Sequence, residues 1–218
     1  MSLGYSLSFL AMSLVLFRAV RAVKTSVFED AFYMLTAFSL CKGTAALVDL
    51  RLTGLLTGQA WLSETAASLS GMFSVMANVF LFQAALDFLL YKLPTKVRFR
   101  VVPVLIFSGY LLLRISGIIE VPELDRISRL GFGYNSALLT GIAMFNLYYI
   151  TGRKTSGLLL SGAGFILYSI FEGIFSGSAV WGIDIGVIRL GCALSLTVAS
   201  FFIRSLLDVE KRQKVAYI

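Results

Sequence analysis

Seven times along this chain about twenty residues pass with hardly a charge, and that recurrence constrains the fold more than any other feature. A helix needs about 20 mostly apolar residues to cross about 30 Å of hydrocarbon. The runs fall at roughly 4–22, 30–49, 63–90, 98–119, 130–151, 157–177 and 181–207. Lipid offers a backbone no hydrogen bonds, so each run is predicted to be a helix with a short connection to the next. Composition agrees: 58% of the 218 residues are hydrophobic, 14% are charged, and mean hydropathy is +0.86, too apolar for a domain with a water-facing surface. The expected fold is an all-α integral membrane protein. It is a seven-transmembrane-helix bundle over 1–207, followed by a short cytoplasmic helical tail at 208–218.

The direction of the spans follows from the basic residues, which concentrate on the cytoplasmic side of membrane proteins. At one set of ends lie Arg18, Arg21 and Lys24; Lys92, Lys96, Arg98 and Arg100; Arg153 and Lys154; and Arg204, Lys211, Arg212 and Lys214. These are thirteen of the nineteen; the opposite ends hold Arg51, Arg126 and Arg129. The tally predicts the N-terminus outside and the C-terminus in the cytoplasm. Trp61 and Trp181 then fall at the outer interface, a depth that suits indole rings. The apolar run Leu7 to Phe17 has its positive charge after it rather than before it, as in a first spanning helix rather than a cleaved leader. The net charge of +7 is thereby accounted for by insertion, and no nucleic-acid partner is expected.

Several chemistries are excluded by what the sequence lacks. There is no histidine, which removes His-ligated haem, His metal sites and His acid/base catalysis. Cys41 and Cys192 lie in apolar runs without metal-ligand spacing and read as small buried residues. No phosphate-binding glycine loop, nucleophile elbow or zinc motif occurs, and the seventh span has no lysine for a Schiff base. Neither enzymatic activity nor a cofactor is expected, and no metal.

Charged groups inside lipid cost roughly 2.5–3.5 kcal/mol each on insertion scales and usually face a bundle interior or one another. Counting about 1.5 Å per residue along each span, Lys42, Arg114, Asn135, Glu172, Asp184 and Arg189 share the outer third of the membrane. Two readings remain open for this layer. In one it is a pocket for an anionic or polar ligand, or a proton-responsive site. In the other Glu172 pairs with Arg189 to fix the packing of the sixth and seventh spans, and Arg114 reaches out to the interface. Nearer the cytoplasm, Gln83 and Asp87 share a face of the third span with Asn146 at comparable depth in the fifth, and read as interhelical hydrogen bonding. Ser161-Gly162-Ala163-Gly164 suits close helix approach. A three-plus-one-plus-three repeat finds slight support: Phe80 to Asp87 and Phe201 to Asp208 look alike, whereas the helices between do not. The last span continues as Phe202, Leu206, Val209, Gln213 and Ala216 at 4-3-4-3 spacing, a short coiled-coil seam or an amphipathic helix end.

Taken in order, the spans resemble the N-terminal seven-helix membrane region of bacterial sensor histidine kinases and related signalling proteins. The stretches that carry the likeness are Leu35 to Gly43, Ser74 to Phe82, Leu130 to Leu138, Gly164 to Gly173, Gly182 to Arg189 and Phe202 to Leu206. Members of that family tend to carry His-Gly and then Glu-Trp in the second span, where this chain has Lys42-Gly43 and Ala46-Leu47. The family's kinase portion is not part of these 218 residues. The resemblance implies a sensory or signal-relay module in the bacterial cytoplasmic (inner) membrane. Its partners would be the lipid bilayer and other membrane or cytoplasmic signalling proteins, a homodimer among the options, with output through Arg204, Leu206 and Val209. A structural or accessory subunit of a larger membrane complex is the alternative, and a small-solute transporter or channel component a second. Pro103, the one proline inside a span, argues mildly against the broken helices of transporters.

Overall fold

A computed structural model describes residues 2–22, 28–55, 60–90, 102–150, 156–174 and 185–202. Its helices are α1 (Ser2–Ala22), α2 (Glu29–Leu55), α3 (Ala60–Leu89), α4 (Val102–Ser116), α5 (Val121–Ser128), α6 (Asn135–Ile150), α7 (Ser156–Ile174) and α8 (Ile185–Phe202). A π-helical turn, Arg129–Tyr134, joins α5 to α6. No strand occurs among the described residues. Within α1, α2 and α3, Leu3–Arg21, Glu29–Asp49 and Thr65–Leu89 are long and apolar enough to cross a membrane; Val102–Ser116 and Ser156–Phe171 are apolar but shorter.

Apolar residues cover these helices on every side. On α1, Phe9, Met12 and Leu16 are fully buried, while Leu7 and Leu14 face outward at 53% and 64% exposure. A soluble helix puts polar residues on its outer face; here the outer face is as apolar as the inner, which suits lipid rather than water.

Six helices close a ring. α1 packs on α2, α2 on α3, α3 on α6, α6 on α7, α7 on α8, and α8 returns to α1. α1 and α8 run in the same direction, since a side chain at Gly4 would touch Leu190, and Thr197 Oγ1 donates to Ser8 O at 2.9 Å. The ring centre is filled by edge-to-face aromatics: Phe9 lies 5.7 Å from Phe38 and 6.2 Å from Tyr168. α6 and α7 meet backbone to backbone, for a Cβ at Gly141 would stand 2.8 Å from the Gly162 carbonyl oxygen. Gly162 of the small-residue stretch is thus used as expected.

α4 stands outside the ring, packed on α3 and α5. It stops at Ser116 because Gly117 takes φ +67°, a left-handed conformation that glycine adopts without penalty and that ends helices. The expected fourth span of 98–119 therefore ends early. The larger difference lies in 120–130, read from sequence as a connection before a span at 130–151. The structure makes 121–150 continuously helical. Pro122 is compatible with a first helical turn, Glu123 meets the positive end of the helix, and the Leu124 amide closes on Glu120 O at 3.0 Å. So short a helix, with one face charged, carries no spanning signal and reads as a loop.

Candidate functional site

The inter-helix side-chain bonds gather in the half of the bundle where α1 and α3 begin. Ser6 Oγ of α1 donates to Gly43 O of α2 at 2.8 Å, and Ser70 Oγ of α3 to Ala45 O at 3.0 Å. Between these ties lies Lys42, 9% exposed, with Nζ 3.5 Å from Ser74 Oγ of α3. Gly43 permits this crossing: a Cβ there would stand 3.0 Å from Leu10. Lys42 is thus an amine held inside the ring at the meeting of α1, α2 and α3.

Arg114 is placed elsewhere. Its Nη2 donates to Ser68 Oγ at 2.7 Å and its Nη1 to the Tyr110 hydroxyl at 2.5 Å. That hydroxyl in turn donates to Asp125 Oδ1 of α5 at 2.9 Å. Gly71 of α3 leaves room, for a Cβ there would sit 3.3 Å from Asp125 Oδ2 and 3.9 Å from Arg114 Nη1. The Arg114 guanidinium neither joins Lys42 nor merely reaches for the interface; it is bonded into a chain of Ser68, Arg114, Tyr110 and Asp125 that ties α3, α4 and α5. Ser74 and Ser68 are six residues apart, which at 3.6 residues per turn separates them by about 120° around α3. One polar depth is therefore two polar sites on different faces of one helix.

Asn135 belongs to neither. Its side chain is exposed and its Nδ2 donates to Leu130 O at 2.9 Å, inside the π turn. Ser169 Oγ of α7 donates to Tyr134 O at 2.8 Å. A π turn disturbs the regular i to i−4 ladder, and these two side chains serve backbone carbonyls at that point. Asn135 thus ties back to the backbone of the π turn. Opposite it, Asn78 of α3 presses on Gly133, where a Cβ would stand 2.9 Å from Asn78 Oδ1. Glu172 and Arg189 lie on α7 and α8 with side chains outside the described set, and Asp184, Arg204, Leu206 and Val209 lie outside the described residues. α7 does pack on α8, the contact that a Glu172–Arg189 pair would need.

Gln83 and Asp87, expected to share a face of the third span, are bonded to each other. Gln83 Nε2 donates to Asp87 Oδ1 at 3.0 Å one turn along α3, both residues being 2–4% exposed. The bond is within one helix, and Asn146 is exposed rather than facing them. An apolar groove of about 170 Å³ runs between α3 and α4, lined by Met76, Val79, Phe80, Pro103, Val104, Phe107 and Ser108. Among the described residues no three acidic or cysteine side chains are grouped to hold a metal ion.

Sequence reasoning missed Asp125 and Ser68. The spacing of Tyr110 and Arg114 at i, i+4 was legible in the fourth span, but Asp125 lay in 120–130, read as a connection, so it was not placed beside them. No family model, curated protein or solved structure matches the chain.

Proposed function

We propose that this chain is a membrane sensory or signal-relay module of a bacterial cytoplasmic membrane, crossing the bilayer seven times with its N-terminus outside and its C-terminus inside. The spans are α1, α2, α3, α4, α6, α7 and α8, with α5 between the fourth and fifth. The basic tally and both tryptophans support the direction, and parallel α1 and α8 suit first and last members of an odd series. The stimulus enters through the outer half, where Lys42 and the Arg114 chain lie, and leaves through α8 toward a cytoplasmic partner.

The observation that carries this reading is the position of α8. It closes the ring against both α7 and α1, and the sequence continues its apolar spacing through Leu206 and Val209 into the basic tail. A shift between α8 and its neighbours is therefore conveyed along a helix, provided the stimulus favours one arrangement over the other. The test joins the tail to a reporter kinase core and inserts one to seven residues after Lys214. Kinase output should rise and fall with a period of about 3.5 residues, and Lys42→Met should shift its level. Output indifferent to both changes sinks the relay. A second reading has its own support: Ser6, Ser70 and Thr197 are plain helix-to-helix ties, as in an accessory subunit whose polar groups only fix packing. Stoichiometric recovery with a large membrane complex, with no phase-dependent output, would favour it.

A further inference from the structure

The groove between α3 and α4 lies outside the ring. α3 lends it Met76, Val79 and Phe80, and turns Ala77, Leu81 and Ala84 to the ring centre. Val79 and Pro103 are buried at its base, Met76, Phe80 and Phe107 are half-buried, and Val104 stands 63% exposed at its edge. Ser108 is the one polar side chain among the residues that line it. Water held there would find a single hydroxyl where it needs two to four polar partners. Left empty, a space of about 170 Å³ would cost its walls their dispersion contacts. The chemistry that fits it is hydrocarbon. Phe80 comes nine residues before Leu89, the end of α3, or about 13 Å along the axis. One leaflet's hydrocarbon is about 15 Å deep, so a lipid chain rooted at the headgroups beside that end reaches the groove. The sequence from Leu90 to Val101, which connects the two helices, carries Lys92, Lys96, Arg98 and Arg100 and no acidic residue. A basic run next to a spanning helix favours anionic lipid at the membrane surface.

We infer that the α3–α4 groove holds one acyl chain of an anionic diacyl phospholipid from the cytoplasmic leaflet. The tail lies over Val79 and Pro103, between Phe80 of α3 and Phe107 of α4, and its negative headgroup is the kind that the basic sequence favours. Phe107 stacks on Tyr110 with ring centroids 6.1 Å apart, and Tyr110 is bonded to Arg114 and Asp125. An occupied groove therefore bears on that polar chain through one aromatic contact. The inference rests on the proposed membrane crossing and its direction, and not on the relay.

The test uses the full chain with Trp61→Phe and Trp181→Phe, and one new indole, either at Phe107→Trp in the groove or at Leu112→Trp, which is 70% exposed and not part of it. Phosphatidylcholine vesicles receive increasing fractions of phosphatidylglycerol or phosphatidylcholine brominated in mid-chain, which quenches indole on contact. Phe107→Trp should be quenched at a several-fold lower fraction of the brominated phosphatidylglycerol than of the brominated phosphatidylcholine, with Leu112→Trp quenched alike by both. Three results overturn the groove and leave the membrane reading standing: equal response of Phe107→Trp to both lipids, no response where Leu112→Trp responds, or a preference that Leu112→Trp shares in full. No quenching at either position overturns both. In the chain with its own two tryptophans, native mass spectrometry should show phosphatidylglycerol retained over phosphatidylcholine of the same chains. Val104→Trp, which fills the groove from its edge, should abolish that preference; a preference that persists in this variant also overturns the groove.

Discussion

At the residue scale the bundle depends on where a single carbon does or does not fit. Gly141 and Gly162 face each other so closely that the nearest obstacles to a Cβ at Gly141 are Ile166 Cγ1 at 2.6 Å and a backbone oxygen at 2.8 Å. A carbonyl of a packed helix cannot swing aside, so Gly141→Ala should force α6 and α7 apart at a cost of about 1–3 kcal/mol. Gly109→Ala, with nothing within 4 Å, should be neutral or stabilising by up to about 1 kcal/mol. Thermal unfolding of the two variants in the same detergent checks this, and equal midpoints would contradict it. Single residues were also where sequence reading was least sure. It placed Lys42, Arg114 and Asn135 at one depth, and depth is what residue counting can give. Whether an amide turns toward a pocket or back to its own π turn depends on an extra residue in the helix, and nothing in Arg129-Leu-Gly-Phe-Gly-Tyr134 announces one beyond its two glycines.

At the scale of elements the informative piece is α5. Its eight residues are too few and too charged to register in a search for spans, yet they set the path from α4 to α6. The tie that holds them is the Tyr110 hydroxyl, which accepts from Arg114 and donates to Asp125. Tyr110→Phe removes both bonds while keeping the ring that packs on Leu124 and Val79. Two bonds to charged groups lost from a half-buried site should cost about 2–3 kcal/mol locally. Amide exchange over 121–130 should quicken while that of α7 stays as it was. Exchange unchanged over 121–130 would show that apolar packing alone seats the helix. Element existence was otherwise legible: each of the seven apolar runs contains a described helix, because an apolar run of that length has few other ways to satisfy its backbone.

At the scale of the whole molecule the ring is the finding with most consequence. α1, α2 and α3 follow one another around it, then α6, α7 and α8, with α4 left outside. Three helices on either side of α4 thus make the ring; of the stretch Phe201–Asp208 that faintly resembles Phe80–Asp87, only Phe201 and Phe202 fall among the described residues of α8. Closure is directly testable. Ser8→Cys with Thr197→Cys places thiols on the α1 and α8 faces that touch, and a short bifunctional maleimide should join them within one chain. Joining Ser8→Cys to a cysteine at Leu112, on the outward face of α4, should fail; the reverse pattern would open the ring.

The sequence by itself determined that the described chain is helical and that its long helices are apolar on every side. It also carried the charge asymmetry that directs the proposed topology. These are properties of composition and spacing along one dimension. Only the tertiary structure decided which polar groups meet. A residue's depth follows from counting, but its neighbours depend on the rotation of each helix about its axis and on which helix stands beside it. A turn of about 120° on α3 is enough to give Lys42 to Ser74 inside the ring and Arg114 to Ser68, Tyr110 and Asp125 outside it.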